Sequence, residues 1–287
     1  MRFATTLMLW LVATVALVVA VPAAWTQLNI VNENGYTAMA ERAAHDPALQ
    51  AAVASELTTR TMTLIAEHGG HRPPVDSAQV HDAAAAFTAG ASFPPMFGAA
   101  NRAAHNWLFS EQRSSSDQWV IDLAPMLKDS SFQQIISTYH VKVPATLKVP
   151  LTVSVGQPLH QGQLHRLATW GPWVAIGAAA VAGICGLLTL AAARRRGKAL
   201  SGLGVSALLV GGGGWAAIEV GGRYINDALN RTTGDIRRSA DVLVGQAEGS
   251  LHLWLNLTLI AGVGLVVLGV LVAVLGSLFK KPARSPT

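Results

Sequence analysis

Four long apolar runs decide what this chain can fold into. They occupy residues 3–25, 170–193, 199–220 and 251–279, and each is long enough for an α-helix to cross a ~30 Å hydrocarbon core, which takes ~20 residues. Neither the second nor the fourth contains an Asp, Glu, Lys or Arg. No water reaches a backbone amide at that depth, so every peptide group must bond within its own segment, and the runs predict helices. The third is the least regular, because Gly211, Gly212, Gly213 and Gly214 follow one another within it. Glycine costs about 1 kcal/mol per residue in a soluble helix but is accepted in membranes, where neighbouring helices pack against it. Composition agrees with this reading. Charged residues make up 13% of the chain, against about 25% in a typical soluble domain, and the mean hydropathy is +0.37.

The pI of 9.7 and net charge of +5 invite a nucleic-acid reading, which the distribution of charge removes. Arg2, Arg194, Arg195, Arg196, Lys198, Lys280, Lys281 and Arg284 flank the apolar runs, whereas residues 25–169 carry nine basic and eleven acidic side chains. Phosphate recognition needs cations gathered on one face, so no nucleic-acid partner is expected. The flanking cations report topology instead. Positive residues stay in the cytoplasm, which places the link 194–198 and the tail 280–287 inside. Trp25, Trp170, Trp173 and Trp254 then fall near the outer interface, where indole rings settle. The expected protein is a multi-pass plasma-membrane protein with both termini cytoplasmic and residues 26–169 and 221–250 extracytoplasmic. The first run has a rival reading as a cleaved signal peptide, because Val21-Pro22-Ala23-Ala24 resembles a small-residue cleavage site. Its apolar core exceeds the 7–15 residues usual for such peptides, which favours a retained helix; cleavage would not alter the orientation of the rest.

Between residues 26 and 169 polarity rises. Asp46-Pro47 reads as an N-cap with proline at the first helical position, opening a helix to about Glu67 with Leu49, Val53, Leu57, Leu64 and Ile65 on its apolar face. Asp76 or Ser77 caps a second helix through Phe87. A third follows Pro94-Pro95 and carries Phe97, Ala100, Ala104, Trp107 and Leu108. Residues 114–117 form a turn, Trp119 to Leu123 a short strand, and a further helix runs from Pro125 to near Tyr139. Leu147, Val149, Leu151, Val153 and Val155 then alternate at strand period, although Pro150 lacks an N–H and restricts that strand to an edge. In residues 221–250, Ile225, Leu229, Ile236, Ala240 and Leu243 form an apolar helical stripe, predicting a hairpin broken near Gly234 that packs on the first outer segment. The fold class is therefore a mainly α membrane protein: a four-transmembrane-helix bundle with a mostly helical extracytoplasmic domain carrying a small β element.

Three short patterns carry a resemblance: Asp46-Pro47 before a long helix, Phe97-x3-Asn101-Arg102-x2-His105, and Val120-Ile121-Asp122-Leu123-x-Pro125. Together they resemble a family of uncharacterised actinobacterial integral membrane proteins with an outer helical domain between the first and second transmembrane helices. Residues 109–118 depart from that pattern. The resemblance implies a topology and no activity.

Residues with chemical potential have structural readings beside them. Of nine histidines, His68, His71 and His81 lie closest together, but zinc sites show tighter pairs with a third ligand in reach, and solvated loop histidines are the simpler account. Arg102 and His105 share a helix face at i and i+3, with Asp122 on the following strand; an Asp122–His105 or Asp122–Arg102 contact is expected to fasten strand to helix. Neither G-x-S-x-G nor H-E-x-x-H is present. Glu219 is the only acid within a predicted span, near its outer end and without partners for an ion relay. Cys185 is alone, so no intramolecular disulfide can form. Ala179-x3-Gly183 suits close helix packing or a second subunit. No catalytic, cofactor-binding or metal residue is assigned, and no cofactor is expected. The reading is a non-catalytic membrane protein whose outer domain scaffolds or assists a cell-envelope complex, with the bilayer and other membrane or envelope proteins as partners. An accessory subunit of a lipid or envelope-precursor transporter is the alternative, and an envelope enzyme the third.

Overall fold

A computed structural model describes residues 2–68, 76–110, 120–138, 143–150, 161–230 and 234–278. His71, the 114–117 turn, Trp119, Tyr139, the 151–155 part of the alternating segment, and Lys280, Lys281 and Arg284 lie outside the described residues. In chain order the helices are α1 (Arg2–Thr26), α2 (Glu33–Ala43), α3 (Pro47–His68), α4 (Ser77–Thr88), α5 (Phe93–Phe109), α6 (Ala124–Leu127), α7 (Ser130–Thr138), α8 (His165–Ala192), α9 (Arg196–Leu229) and α10 (Gly234–Leu278), with a π-helical turn at Gln27–Val31. Four are long and apolar enough to cross a membrane, over Ala4–Val31, His165–Ala192, Arg196–Leu229 and Gly234–Gly276. The chain is a mainly α, multi-pass membrane protein. Its contacts gather into two compact units, one of residues 1–27, 170–221 and 249–287, the other of 28–169 and 222–248.

Inside the first unit, glycine brings helices into backbone contact. Gly197, Gly204 and Gly211 on α9 recur every seven residues, as do Gly262 and Gly269 on α10. A seven-residue spacing returns to nearly the same helix face every two turns. The two rows meet: a Cβ on Gly197 would lie 2.5 Å from the Gly269 carbonyl oxygen, and one on Gly204 would lie 2.7 Å from the Gly262 oxygen. Numbers rise along one helix as they fall along the other, so α9 and α10 are antiparallel. α1 runs parallel to α9, because Trp10 Nε1 donates to the Gly202 carbonyl at 2.9 Å and the Thr14 and Ser206 hydroxyls bond at 2.7 Å, one turn further along both helices. The glycine run at 211–214 divides in the same way. Gly211 and Gly214 face Leu259 and Leu255, whereas Gly212 and Gly213 look onto open space. By contrast, the close packing expected at Ala179-x3-Gly183 is not made: a Cβ added to Gly183 would meet nothing within 4 Å, and both residues are exposed.

The second unit has a helical core. Leu49 and Leu57 of α3, Val80 and Phe87 of α4, Phe93 of α5, Leu127 of α6 and Phe132 of α7 are all at most 1% exposed. Phe87 is the hub, meeting Phe93 and Phe132 edge-on with ring centroids 5.6 and 5.8 Å apart, the arrangement that the ring quadrupole favours. Caps start these helices where the sequence offers them. Asp46 accepts from the Ala48 N–H at 2.8 Å and Asp76 from the Ala78 N–H at 2.9 Å, relieving donors that a helix start leaves unpaired. Val242 and Leu243 of α10 pack on this core, and Leu229 is buried, while Ile225 of the same stripe is exposed. α10 starts at Gly234, whose φ of +71° is left-handed backbone that suits glycine.

One expectation changes here. The single helix from Pro125 is two, because Asp129 interrupts it. Its carboxylate accepts from the Ser131 N–H at 3.0 Å and the Ser131 hydroxyl at 2.9 Å, so it caps α7 and ends α6. Among the described residues the β element consists of β1 (Val120–Asp122) and β2 (Lys148–Pro150), paired antiparallel over three residues. The Ser131 N–H also holds the Asp129 carboxyl below the usual carboxylate range. A folded value below the unfolded one stabilises at pH above about 3.9 and is lost as pH falls through the folded value. Asp129→Ala should therefore cost about 0.5–1 kcal/mol at pH 7, the low part of the capping range because the group is near solvent. Denaturant melts of both proteins should converge as the pH is lowered through the folded-state value of Asp129.

Candidate functional site

The residues singled out for chemistry do not converge. Arg102 Nε lies 3.3 Å from Glu33 Oε1 and donates to Thr37 Oγ1 at 3.3 Å, joining α5 to α2. His105 Nε2 is 2.9 Å from the Ile30 carbonyl oxygen, which can only accept, so this nitrogen carries the proton. Ile30 stands in the π-turn before α2, where the change of helical pattern leaves carbonyls to be satisfied from outside. Asp122 accepts from the Ala124 N–H at 2.9 Å and the Leu147 N–H at 2.7 Å. The expected Asp122–His105 and Asp122–Arg102 contacts are thus replaced by three separate anchors. The physical reason is that each side chain finds another partner: Arg102 the Glu33 carboxylate and Thr37 hydroxyl of α2, His105 a π-turn carbonyl, and Asp122 the N–H groups of Ala124 and Leu147.

His105 nonetheless sits in an unusual setting. It is 4% exposed, stacks on Phe109 at 4.3 Å and tilts against Tyr36 at 5.0 Å. Its Nδ1 is buried with no hydrogen-bond partner among the described residues. Burial pushes the Tyr36 phenol above its ordinary value, because ionisation is costly away from water; its hydroxyl is 3.5 Å from Asn101 Oδ1. Tyr36 is not legible in the sequence as part of this cluster, since α2 carries no apolar period. His105→Ala should destabilise the unit by about 2–3 kcal/mol, because the Ile30 carbonyl loses its donor and the stack leaves a gap. Arg102→Ala should cost under about 1 kcal/mol, its ion pair being roughly half exposed. Thermal melts of the two variants would check this order; equal losses would contradict it.

The other residues are dispersed. His81 approaches the Thr58 hydroxyl at 3.4 Å, and among the described residues no three His, Cys, Asp or Glu side chains gather as a metal site would require. Glu219 is exposed on α9 and Cys185 is a free, half-buried thiol in α8.

Concavity lies in the first unit. A cavity of about 850 Å³ is lined by Trp10, Thr189, Arg194, Arg195, Lys198 and Gly202 among others. A second, of about 830 Å³, continues along the same helices and is lined by Ala13, Leu17, Gly186, Leu190, Leu203 and Trp254 among others. No family model matches the chain, and no curated protein or solved structure does so either. The geometry alone must therefore carry the functional reading.

Proposed function

We propose that the chain is a non-catalytic multi-pass membrane protein of the plasma membrane whose helical second unit stands outside the cytoplasm and scaffolds or assists a cell-envelope complex. The observation behind this is the use made of polar side chains: Arg102, His105 and Asp122 each hold main chain or a neighbouring helix in place. A unit that spends such groups on fixing its own shape is suited to present a surface. The orientation rests on the cations, since Arg194, Arg195, Arg196 and Lys198 join α8 to α9 and such clusters are retained in the cytoplasm.

The test is gentle extraction of the tagged full chain from its native membrane, followed by mass spectrometry of what elutes with it. A stoichiometric envelope protein that retrieves this chain in the reciprocal experiment is the expected result. A chain that elutes alone at every detergent strength contradicts the scaffold role. The membrane cavities favour a second reading, an accessory subunit of a lipid or envelope-precursor transporter, for which the co-eluting partner would be a multi-span transporter or its ATPase.

A further inference from the structure

The two cavities of the first unit follow one another along the same three helices. On α1 the lining passes from Thr6, Leu7 and Trp10 to Ala13, Leu17 and Ala20; on α8 from Ala193 and Thr189 to Gly186 and Ala182; on α9 from Lys198 and Gly202 to Leu203 and Ser206. At 1.5 Å per residue, Thr6 to Ala20 spans about 21 Å, somewhat more than the ~15 Å of one leaflet's hydrocarbon. The two ends differ in chemistry. The first is bordered by Arg194, Arg195 and Lys198, with no carboxylate among its described lining residues, and none of these three cations joins an ion pair among the described residues. Lys198 and Ala199 of its lining belong to the first turn of α9, the end of a helix that carries partial positive charge. The second is almost wholly apolar. Trp10, bonded to the Gly202 carbonyl, stands where one gives way to the other.

We propose that this paired cavity binds one anionic glycerophospholipid of the surrounding bilayer. Its phosphate would lie among Arg194, Arg195 and Lys198, and its acyl chains among α1, α8, α9 and α10. A zwitterionic lipid would bring its own cation into a mouth that already holds three, and a free phosphate would leave the apolar chamber unfilled. The change from a cationic cavity to an apolar one along the same helices matches an anionic amphiphile better than anything smaller. The site needs only the membrane unit and is independent of the scaffold role.

The test uses the purified full chain, delipidated in detergent, with native mass spectrometry and thermal melts against added dioleoyl phosphatidylglycerol, dioleoyl phosphatidylcholine and glycerol phosphate. Wild type should retain phosphatidylglycerol at least about tenfold more tightly than phosphatidylcholine, and should melt higher in its presence. Arg194→Gln, Arg195→Gln and Lys198→Gln combined should abolish that preference, leaving Lys280, Lys281 and Arg284 to hold the topology. Should the triple variant fail to insert, Gly186→Leu serves instead. A Cβ there meets only Leu203 methyls at 3.8 Å and beyond, so leucine enters the chamber without striking backbone, and it should weaken retention of both lipids. Equal retention of the two lipids by wild type overturns the proposal, as does glycerol phosphate raising the melt as far as phosphatidylglycerol. So does a Gly186→Leu protein that binds as wild type.

Discussion

Gly204→Val is expected to part α9 from α10 and cost the membrane unit about 3 kcal/mol or its folded state altogether. A Cβ at this position would lie 2.7 Å from the Gly262 carbonyl oxygen, 2.7 Å from the Val266 nitrogen and 2.7 Å from a Val266 methyl. Two of those three neighbours are main chain, which no rotamer change can move. Overpacking typically costs about 1–3 kcal/mol, and the upper end applies because relief requires separating whole helices. Parting them would also undo the contacts at Gly197 and Gly269, which share the same face. Gly213→Val is the control: the position lies further along α9 with nothing within 4 Å, and valine is at least as good a helix former as glycine. Thermal melts in detergent should show a large drop for the first variant and little change for the second. Equal effects would mean that glycine serves chain flexibility there rather than close approach.

The second large effect is expected at Phe87→Ala. Phe87 is 1% exposed and touches the rings of both Phe93 and Phe132, so truncation removes the hub that joins α4 to α5 and α7. Phenylalanine-to-alanine changes in cores cost about 3–5 kcal/mol, a large part of the roughly 5–15 kcal/mol that folds a typical domain. Amide hydrogen exchange resolves this unit by itself. Peptides from α4 and α5 should lose protection by several powers of ten in the variant, since each ~1.4 kcal/mol is a tenfold change in opening. Peptides from the close-packed part of α9, around Gly204, should change far less. Loss of protection confined to α4 would contradict the hub assignment.

What can be read from the sequence follows from how local the responsible physics is. The spans are legible because a run of uncharged apolar residues admits only a helix at membrane depth. The faces of α3 and α5 are legible because Leu49, Val53 and Leu57, and Phe97, Ala104 and Trp107, recur at helical spacing and are buried. α2 escapes, because its buried residues are Thr37, Met39, Ala40 and Ala43; small and polar groups leave no hydrophobic period. The split between α6 and α7 escapes because a mid-segment aspartate reads equally as a solvated helical residue or a cap, and only its bonds to Ser131 distinguish them. The glycines of α9 and α10 are visible as composition, and Gly211–Gly214 looks like a weakness. Their seven-residue spacing is the signal, but one row means little until the partner row is found on another helix. At Arg102, His105 and Asp122 the sequence picks out the residues and not their partners. Which backbone carbonyl or amide lacks a bond is decided by the π-turn at Gln27–Val31 and the edge at Leu147, neither of which a side-chain pattern records.

The orientation of the chain is the claim on which the functional reading depends, and cysteine labelling tests it most directly. On a Cys185→Ser background, Asp82→Cys places one thiol at an exposed position of the helical unit, and Arg196→Cys places one at the exposed first residue of α9. A membrane-impermeant maleimide applied to intact cells should label the Asp82→Cys protein, and should label the Arg196→Cys protein only after permeabilisation. Labelling of Arg196→Cys in intact cells, with Asp82→Cys protected, would place the helical unit in the cytoplasm and contradict the account.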